Sequence, residues 1–228
     1  VEIGEDPDRD GLVKTPMRVA RAYEYLSQGY RSDSQTVINE ALFDASCNNM
    51  IVARDIEVYS LCEHHMLPFY GRCHVGYIAA AKVLGASKLA RITNCFARRL
   101  QIQERLTAQI AREVKSAVNA EGVGVVMECR HLCMMMRGVE KQNSVTTTSA
   151  MSGEFMNNQS TRSEFLLAKV RRSFGYLFQE GALKPGDKLP SEHQMTELFG
   201  ISRISLREAM KPDGQSSVFI QVPDSSLF

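Results

Sequence analysis

Apolar residues recur along this chain in two different rhythms. Val19, Ala20, Tyr23 and Leu26 share one helix face. Thr15-Pro16 opens that run, with Thr15 as its expected cap, and Gly29 is expected to end it. From Met50 to Tyr59 apolar and polar residues roughly alternate, as a half-buried strand requires. Arg72 to Ile78 reads as a second strand, and Gly85 with Ser87 marks a turn. Leu89, Ile92, Phe96 and Leu100 then give one helix, and Leu106, Ile110, Val114 and Val118 another. Gly122-Val123-Gly124 opens an apolar strand, Val125 to Met136, and Thr-rich Ser144 to Ser149 reads as its neighbour. A helix follows from Thr161. The order predicts an α+β fold: an antiparallel sheet with helices on one face. Near Lys169 the character changes, with Arg171-Arg172 and a new helical stretch, and a domain boundary is expected there.

Composition narrows the class. Among 228 residues, 44% are hydrophobic and 23% charged, enough to bury a sizeable core. The formal net charge of +1 gives the whole chain no pull toward nucleic acid or membrane. No apolar run is long enough to span a bilayer and no signal-peptide pattern is seen, so a cytoplasmic protein is expected. In that setting the six cysteines read as reduced core thiols plus a metal site rather than a disulfide framework.

The metal site is expected at Cys62-Glu63-His64-His65. Thiolate and imidazole are preferred zinc ligands, and a tight turn can aim Cys62 and His65 at one ion. His64 and His65 on extended backbone would point opposite ways, so one of them is expected to ligate. A matching pair is His131-Leu132-Cys133, which the period of two would place on one face of the strand. Two readings stay open: a closed, structural Cys2His2 site, or an open Cys62–His65–Cys133 site with His131 beside it as acid or base. Cys47, Cys73, Cys95 and Cys129 read as core residues or bystanders, and His74 as structural.

Several ordered motifs resemble the GTP cyclohydrolase I family. They are Gly4-Glu5-Asp6-Pro7, Thr15-Pro16-Met17-Arg18-Val19-Ala20, the Cys62–His65 cluster, Gly85-Ala86-Ser87-Lys88-Leu89-Ala90-Arg91, Arg99 to Thr107, His131-Leu132-Cys133-Met134, Arg137-Gly138-Val139 and Thr161 to Leu166. The likeness runs from about Glu2 to Val170, making residues 1–170 the expected catalytic domain. It implies the tunnelling fold, a homodecamer with sites between subunits, and hydrolysis of GTP to 7,8-dihydroneopterin triphosphate and formate, the entry to folate and tetrahydrobiopterin. It implies zinc on Cys62, His65 and Cys133 with the fourth position open. Water activated there attacks C8 of guanine, and His131 protonates the ring nitrogen, with His64 assisting proton transfer. Glu104 accepts from guanine N1 and the 2-amino group, and Gln103 helps hold the base. Ser87, Lys88, Arg91 and Arg137 bind the triphosphate, joined by Arg18 and Arg21 of a neighbouring subunit. The chain departs from the family pattern at Ala79-Ala80 and Ala86, and lacks most of the family's N-terminal helix.

The tail, residues 171–228, resembles an incomplete winged helix-turn-helix of the GntR type, mostly helical. Leu183 to Glu192, Leu198 to Arg203 and Leu206 to Met210 carry that likeness, which implies that Arg203 and Arg207 face DNA. His193 stands where the family has a DNA-contacting Arg, and Lys211-Pro212-Asp213-Gly214 interrupts the expected wing. Two functional alternatives follow beside the zinc hydrolase: a DNA-binding regulator whose front domain senses a purine or pterin, and a zinc-stabilised structural protein.

Overall fold

The computed structural model describes residues 4–38, 41–44, 49–166 and 191–199. The chain divides into two compact units, Val1–Asn157 and Asn158–Phe228. The change of character near Lys169, along with Cys47, Arg203 and Arg207, lies outside the described residues.

In the first unit, α1 (Thr15–Leu26), a 3-10 turn (Gln28–Arg31) and α2 (Ser34–Ile38) precede β1 (Leu42–Asp44). The long hairpin of β2 (Met50–Cys62) and β3 (Pro68–Ile78) follows, then β4 (Lys82–Leu84), α3 (Ala86–Ala97), β5 (Leu100–Gln101) and α4 (Gln103–Val118). The unit closes with β6 (Gly122–His131), the helical turn α5 (Leu132–Met135), β7 (Thr146–Gly153) and α6 (Glu154–Asn157). The main sheet runs β5-β2-β3-β6-β7, antiparallel except for the short β2–β5 pairing, and β1 pairs with β4 separately. This is the expected α+β architecture.

Strand alternation sorts the two faces. Val58, Cys73, Val75, Val125 and Met127 turn inward to meet Leu89 and Ile92 of α3 and Leu106, Ile110 and Val114 of α4. Each fully buried Leu or Ile contributes about 1.5–3 kcal/mol relative to exposure. The opposite face carries Glu57, Tyr59, Tyr70, Arg72, Glu128 and Arg130, which line a shallow open groove. Gly71 lets β3 and β6 meet: a Cβ there would collide with the Glu128 carbonyl.

Three local expectations are corrected. Thr15 does not cap α1: Lys14 holds the cap position without a side-chain bond, and the Thr15 hydroxyl donates to Gly11 O at 3.2 Å. Gly29 does not end the helix, which stops at Leu26. Gly29 is needed because the chain passes against Cys95 O and Arg98 O with no room for a Cβ. Leu100 leaves the helix face for β5, since α3 ends at Ala97.

The second unit is described over residues 158–166 and 191–199. Residues 159–166 are helical, as expected from Thr161 onward. A helix at Glu192–Phe199 opens with a reciprocal cap: Gln194 N donates to Ser191 Oγ at 3.3 Å, and Ser191 N donates to Gln194 Oε1 at 2.9 Å.

Candidate metal and proton-transfer site

The hairpin β2–β3 turns at Cys62–Leu67, and the turn is tightly closed. Cys62 N donates to Leu67 O at 2.9 Å, Met66 N donates to Cys62 O at 2.7 Å, and Met66 takes a positive φ of 54°. Glu63 anchors the turn from outside. Its backbone N donates to Gln101 O at 3.0 Å, and its carboxylate pairs with Arg105 of α4, which also donates to Gln101 Oε1 at 3.1 Å.

This turn changes the expectation for the two histidines. His64 and His65 do not lie on extended backbone with opposed side chains. Both fold back toward the Cys62 sulfur, with His64 Nδ1 at 3.8 Å and His65 Nδ1 at 3.6 Å.

Cys133 also arrives by a different route from the one expected. β6 stops at His131, whose pairing partner Phe69 is one residue from the start of β3 at Pro68. Beyond that point β6 has no strand to pair with, and the chain coils into α5, carrying Cys133 on a helical turn. The period-two argument placing His131 and Cys133 on one strand face therefore fails. Even so, donor atoms of Cys62, His65 and Cys133 all lie within 4.8 Å of one another.

The fit to a metal can be tested on these atoms. Zn–S near 2.3 Å and Zn–N near 2.0–2.1 Å at tetrahedral angles imply a ligand S to N separation of about 3.6 Å. The Cys62 Sγ to His65 Nδ1 distance is 3.6 Å. Burial, and then the Cys62 thiol beside it, push the Cys133 thiol upward, a like-charge conflict that a shared cation relieves. His131 is not part of the cluster, which favours three ligands over four.

His131 sits on the neighbouring floor. Its ring stacks on fully buried Phe69, with centroids 4.6 Å apart and planes 12° from parallel. Nε2 lies 2.8 Å from Gln103 Oε1. Burial lowers the imidazole's proton affinity, and the Glu104 carboxylate opposes this. Glu104 itself is exposed in the first turn of α4, whereas Gln103 beside it is 2% exposed. Phe69, Thr107 and Thr148, which support Gln103 and His131, were missed by sequence reasoning. They carry no chemistry of their own, and only the pairing register brings them together.

Of the remaining residues that the family resemblance implies, Ser87, Arg91, Arg137, Arg18 and Arg21 are exposed. The four arginines make no ion pair with another described residue. Lys88 is partly committed, donating from Nζ to Val37 O at 2.8 Å.

The remaining thiols behave as core. Cys73, Cys95 and Cys129 are buried, with Cys129 pushed up to about 12 by burial and Cys73 higher still. His74 is buried and accepts from Asp55 N at 3.2 Å through Nδ1, a structural role. Among the described residues no helix is long and apolar enough to cross a membrane.

Comparison with known proteins gives the family. The family model described as GTP cyclohydrolase I matches residues 1–169, and that of bacterial regulatory proteins of the gntR family matches residues 177–212. GTP cyclohydrolase 1 of Teredinibacter turnerae is 62% identical over 163 residues, covering 72% of this chain and 89% of that protein. The Methylococcus capsulatus enzyme of the same name is 60% identical over 165 residues, covering 72% and 89%. That of Chlorobium phaeovibrioides is 57% identical over 164 residues, covering 72% and 74%. The crystal structure of an archaeosine synthase QueF-Like, in the apo form, aligns at TM-score 0.40 and 19% identity over 48% of this chain and 97% of that one, too slight a likeness to assign anything. With that family model matching residues 1–169 and relatives of that name 57–62% identical, the chain belongs to the GTP cyclohydrolase I family of hydrolases.

Proposed function

We propose that this chain is a zinc-dependent GTP cyclohydrolase, converting GTP to 7,8-dihydroneopterin triphosphate and formate at the head of folate or tetrahydrobiopterin synthesis. The observation that carries the reading is the convergence of Cys62, His65 and Cys133 donor atoms within 4.8 Å, beside a half-buried histidine that is not one of them. Three ligands leave a fourth position for chemistry. Zinc held there supplies Lewis-acid activation of water at neutral pH.

The chain's own groups supply the rest. His131 delivers a proton to the guanine ring nitrogen as the C8–N bond breaks, and His64, exposed on the turn, assists. Glu104 accepts from guanine N1–H and the 2-amino group. Adenine lacks that donor pair, so a carboxylate there discriminates against it. Ser87, Lys88, Arg91 and Arg137, with Arg18 and Arg21 of a neighbouring subunit, provide donors and positive charge for the triphosphate. The fold in this reading is the tunnelling fold assembled as a decamer in the cytoplasm. Residues 1–170 form the catalytic domain and 171–228 an appended segment.

The test is formate release from GTP by the purified, zinc-loaded chain, with Cys133→Ser alongside. Formate from the parent and none from the variant is expected. A folded, zinc-loaded parent that releases no formate overturns the reading.

The gntR match over residues 177–212 favours a second reading, DNA binding through Arg203 and Arg207 with the front domain as a purine or pterin sensor. It predicts DNA affinity that falls steeply with salt. Affinity absent at low salt sinks it.

A further inference from the structure

The side-chain amide of Gln103 has its orientation decided by its neighbours. Its Nε2 lies 3.1 Å from Met127 O, 2.8 Å from Thr146 O and 3.1 Å from Thr148 Oγ1. Both carbonyls can only accept, so the NH2 end must face them, two hydrogens serving three acceptors. The amide oxygen is thereby turned to His131 Nε2 at 2.8 Å. An amide oxygen also only accepts, so His131 must present Nε2–H.

The two threonines agree on the direction. Thr107 Oγ1 donates its single proton to Gln103 O at 2.7 Å. In its 2.7 Å contact with Thr148 the proton then comes from Thr148, whose lone pairs are left to accept from Gln103 Nε2. The ring Gln103–Thr148–Thr107–Gln103 closes with every donor matched to an acceptor. Phe69 lies flat against the imidazole and sets its plane, so neither the tilt nor the proton position of His131 is left free.

We propose that Gln103 is a positioning residue whose amide pins the His131 proton on Nε2, leaving Nδ1 as the nitrogen through which His131 exchanges a proton with substrate. The side chain of Gln103 does not itself hold the guanine base. Both ends of its amide are engaged and it is 2% exposed. The catalytic consequence rests on the functional reading above, whereas the proton assignment rests on the hydrogen-bond geometry alone. An imidazole hydrogen-bonded at one nitrogen offers the other in a single tautomer, and a proton carrier must be in the correct one.

Two measurements test this. The first is a long-range 15N–1H spectrum of the zinc-loaded chain with labelled histidine at pH 8, His131 being assigned by loss of its signals in His131→Asn. A proton-bearing Nε2 and an unprotonated Nδ1 are expected. The reverse pattern in the parent overturns the proposal, and this reading does not depend on any Gln103 variant folding. The second is steady-state kinetics of Gln103→Leu with zinc content measured. A fall in kcat of about 10–100-fold is expected, the scale on which orienting partners act, with KM for GTP changing less than about twofold and one zinc per chain kept. A tenfold rise in KM at unchanged kcat assigns Gln103 to the base and overturns the proposal. No formate from the parent chain would overturn the functional reading and the catalytic half of the proposal, and the spectrum then judges the proton position by itself.

Discussion

Gln103 and Glu104 are neighbours at the start of α4, yet one is sealed into the core and the other stands in solvent. They mark two regions built on opposite terms. On the floor, Gln103, Thr107, Thr148, Phe69 and His131 are bound to one another within a single chain, with both ends of the Gln103 amide engaged. On the proposed triphosphate rim, Arg18, Arg21, Arg91 and Arg137 are exposed and have no acidic partner among the described residues. A matched floor gives geometry: its hydrogen bonds are short-range and insensitive to salt, and breaking one leaves a buried group unsatisfied. An unmatched rim gives charge, whose effect is screened over about 8–10 Å by ordinary salt. Floor changes should therefore strike rate and stability, and rim changes affinity.

Metal removal gives the largest contrast. After chelation, formate release is expected to vanish, and the partly exposed Cys133 to become open to alkylation, ahead of Cys62, which is 6% exposed. Cys73 and Cys129 should stay protected, since burial keeps both as thiols well above the usual range. Mass-spectrometric mapping of the label decides; rapid labelling of Cys73 would show that the metal holds the core together, erasing the distinction between site and floor. Next comes Phe69→Ala, which removes a fully buried ring and the stacking surface of His131. It is expected to lower stability by about 3–5 kcal/mol in denaturant melts. A loss under about 1 kcal/mol would mean the floor relaxes and is not rigid.

Arg91→Ala sharpens the rim side. Because Arg91 is exposed and makes no ion pair with a described residue, its loss should leave the melting temperature unchanged. KM for GTP should rise about tenfold or more, one charged hydrogen bond being worth about 1.5–3 kcal/mol. That penalty should shrink as salt rises. An unchanged KM would remove Arg91 from the triphosphate site.

The smallest effect is expected at Asp33, which lies on neither region. Its carboxylate accepts from Thr36 Oγ1 at 2.8 Å and Thr36 N at 2.9 Å, which hold it below the usual carboxylate range. A group whose folded value is lowered stabilises above its unfolded value and loses that contribution as pH falls through the folded one. Asp33→Asn should therefore be slightly less stable than the parent at pH 7, with the gap closing in acid below about pH 3.9, the ordinary aspartate value. A gap that widens in acid would contradict the sign.

The legible parts of this molecule are those where periodicity or chemistry is local. The face Leu106, Ile110, Val114 and Val118 announced α4 and is its buried face. The density of Cys62 to His65 pointed to a metal turn, and the donor atoms of Cys62, His65 and Cys133 do lie close enough to share an ion. Illegible were the places where a neighbour's end decides. β6 was expected to run on to Met136 and stops at His131, because β3 begins at Pro68 and offers no further partner. Leu100 fits the α3 stripe yet pairs with Leu61 in the sheet. The resemblance implies Gln103 beside the base, and nothing local in the motif showed that its amide oxygen would also lie 2.8 Å from His131 Nε2.

The residue types determined by themselves that thiols and imidazoles were available in two clusters for a metal or for proton transfer, and the family resemblance added the expected roles of Glu104 and the cations. The order of hydrophobic rhythms likewise determined the α+β class. Tertiary structure alone decided which nitrogen of His131 is held, which end of Gln103 faces it, and how Cys133 reaches Cys62. The reason is physical. A side chain's hydrogen-bond orientation is chosen by the acceptors around it, and here those acceptors belong to Met127, Thr146 and Thr148, brought to Gln103 from 24 to 45 residues along the chain by the pairing of β6 and β7.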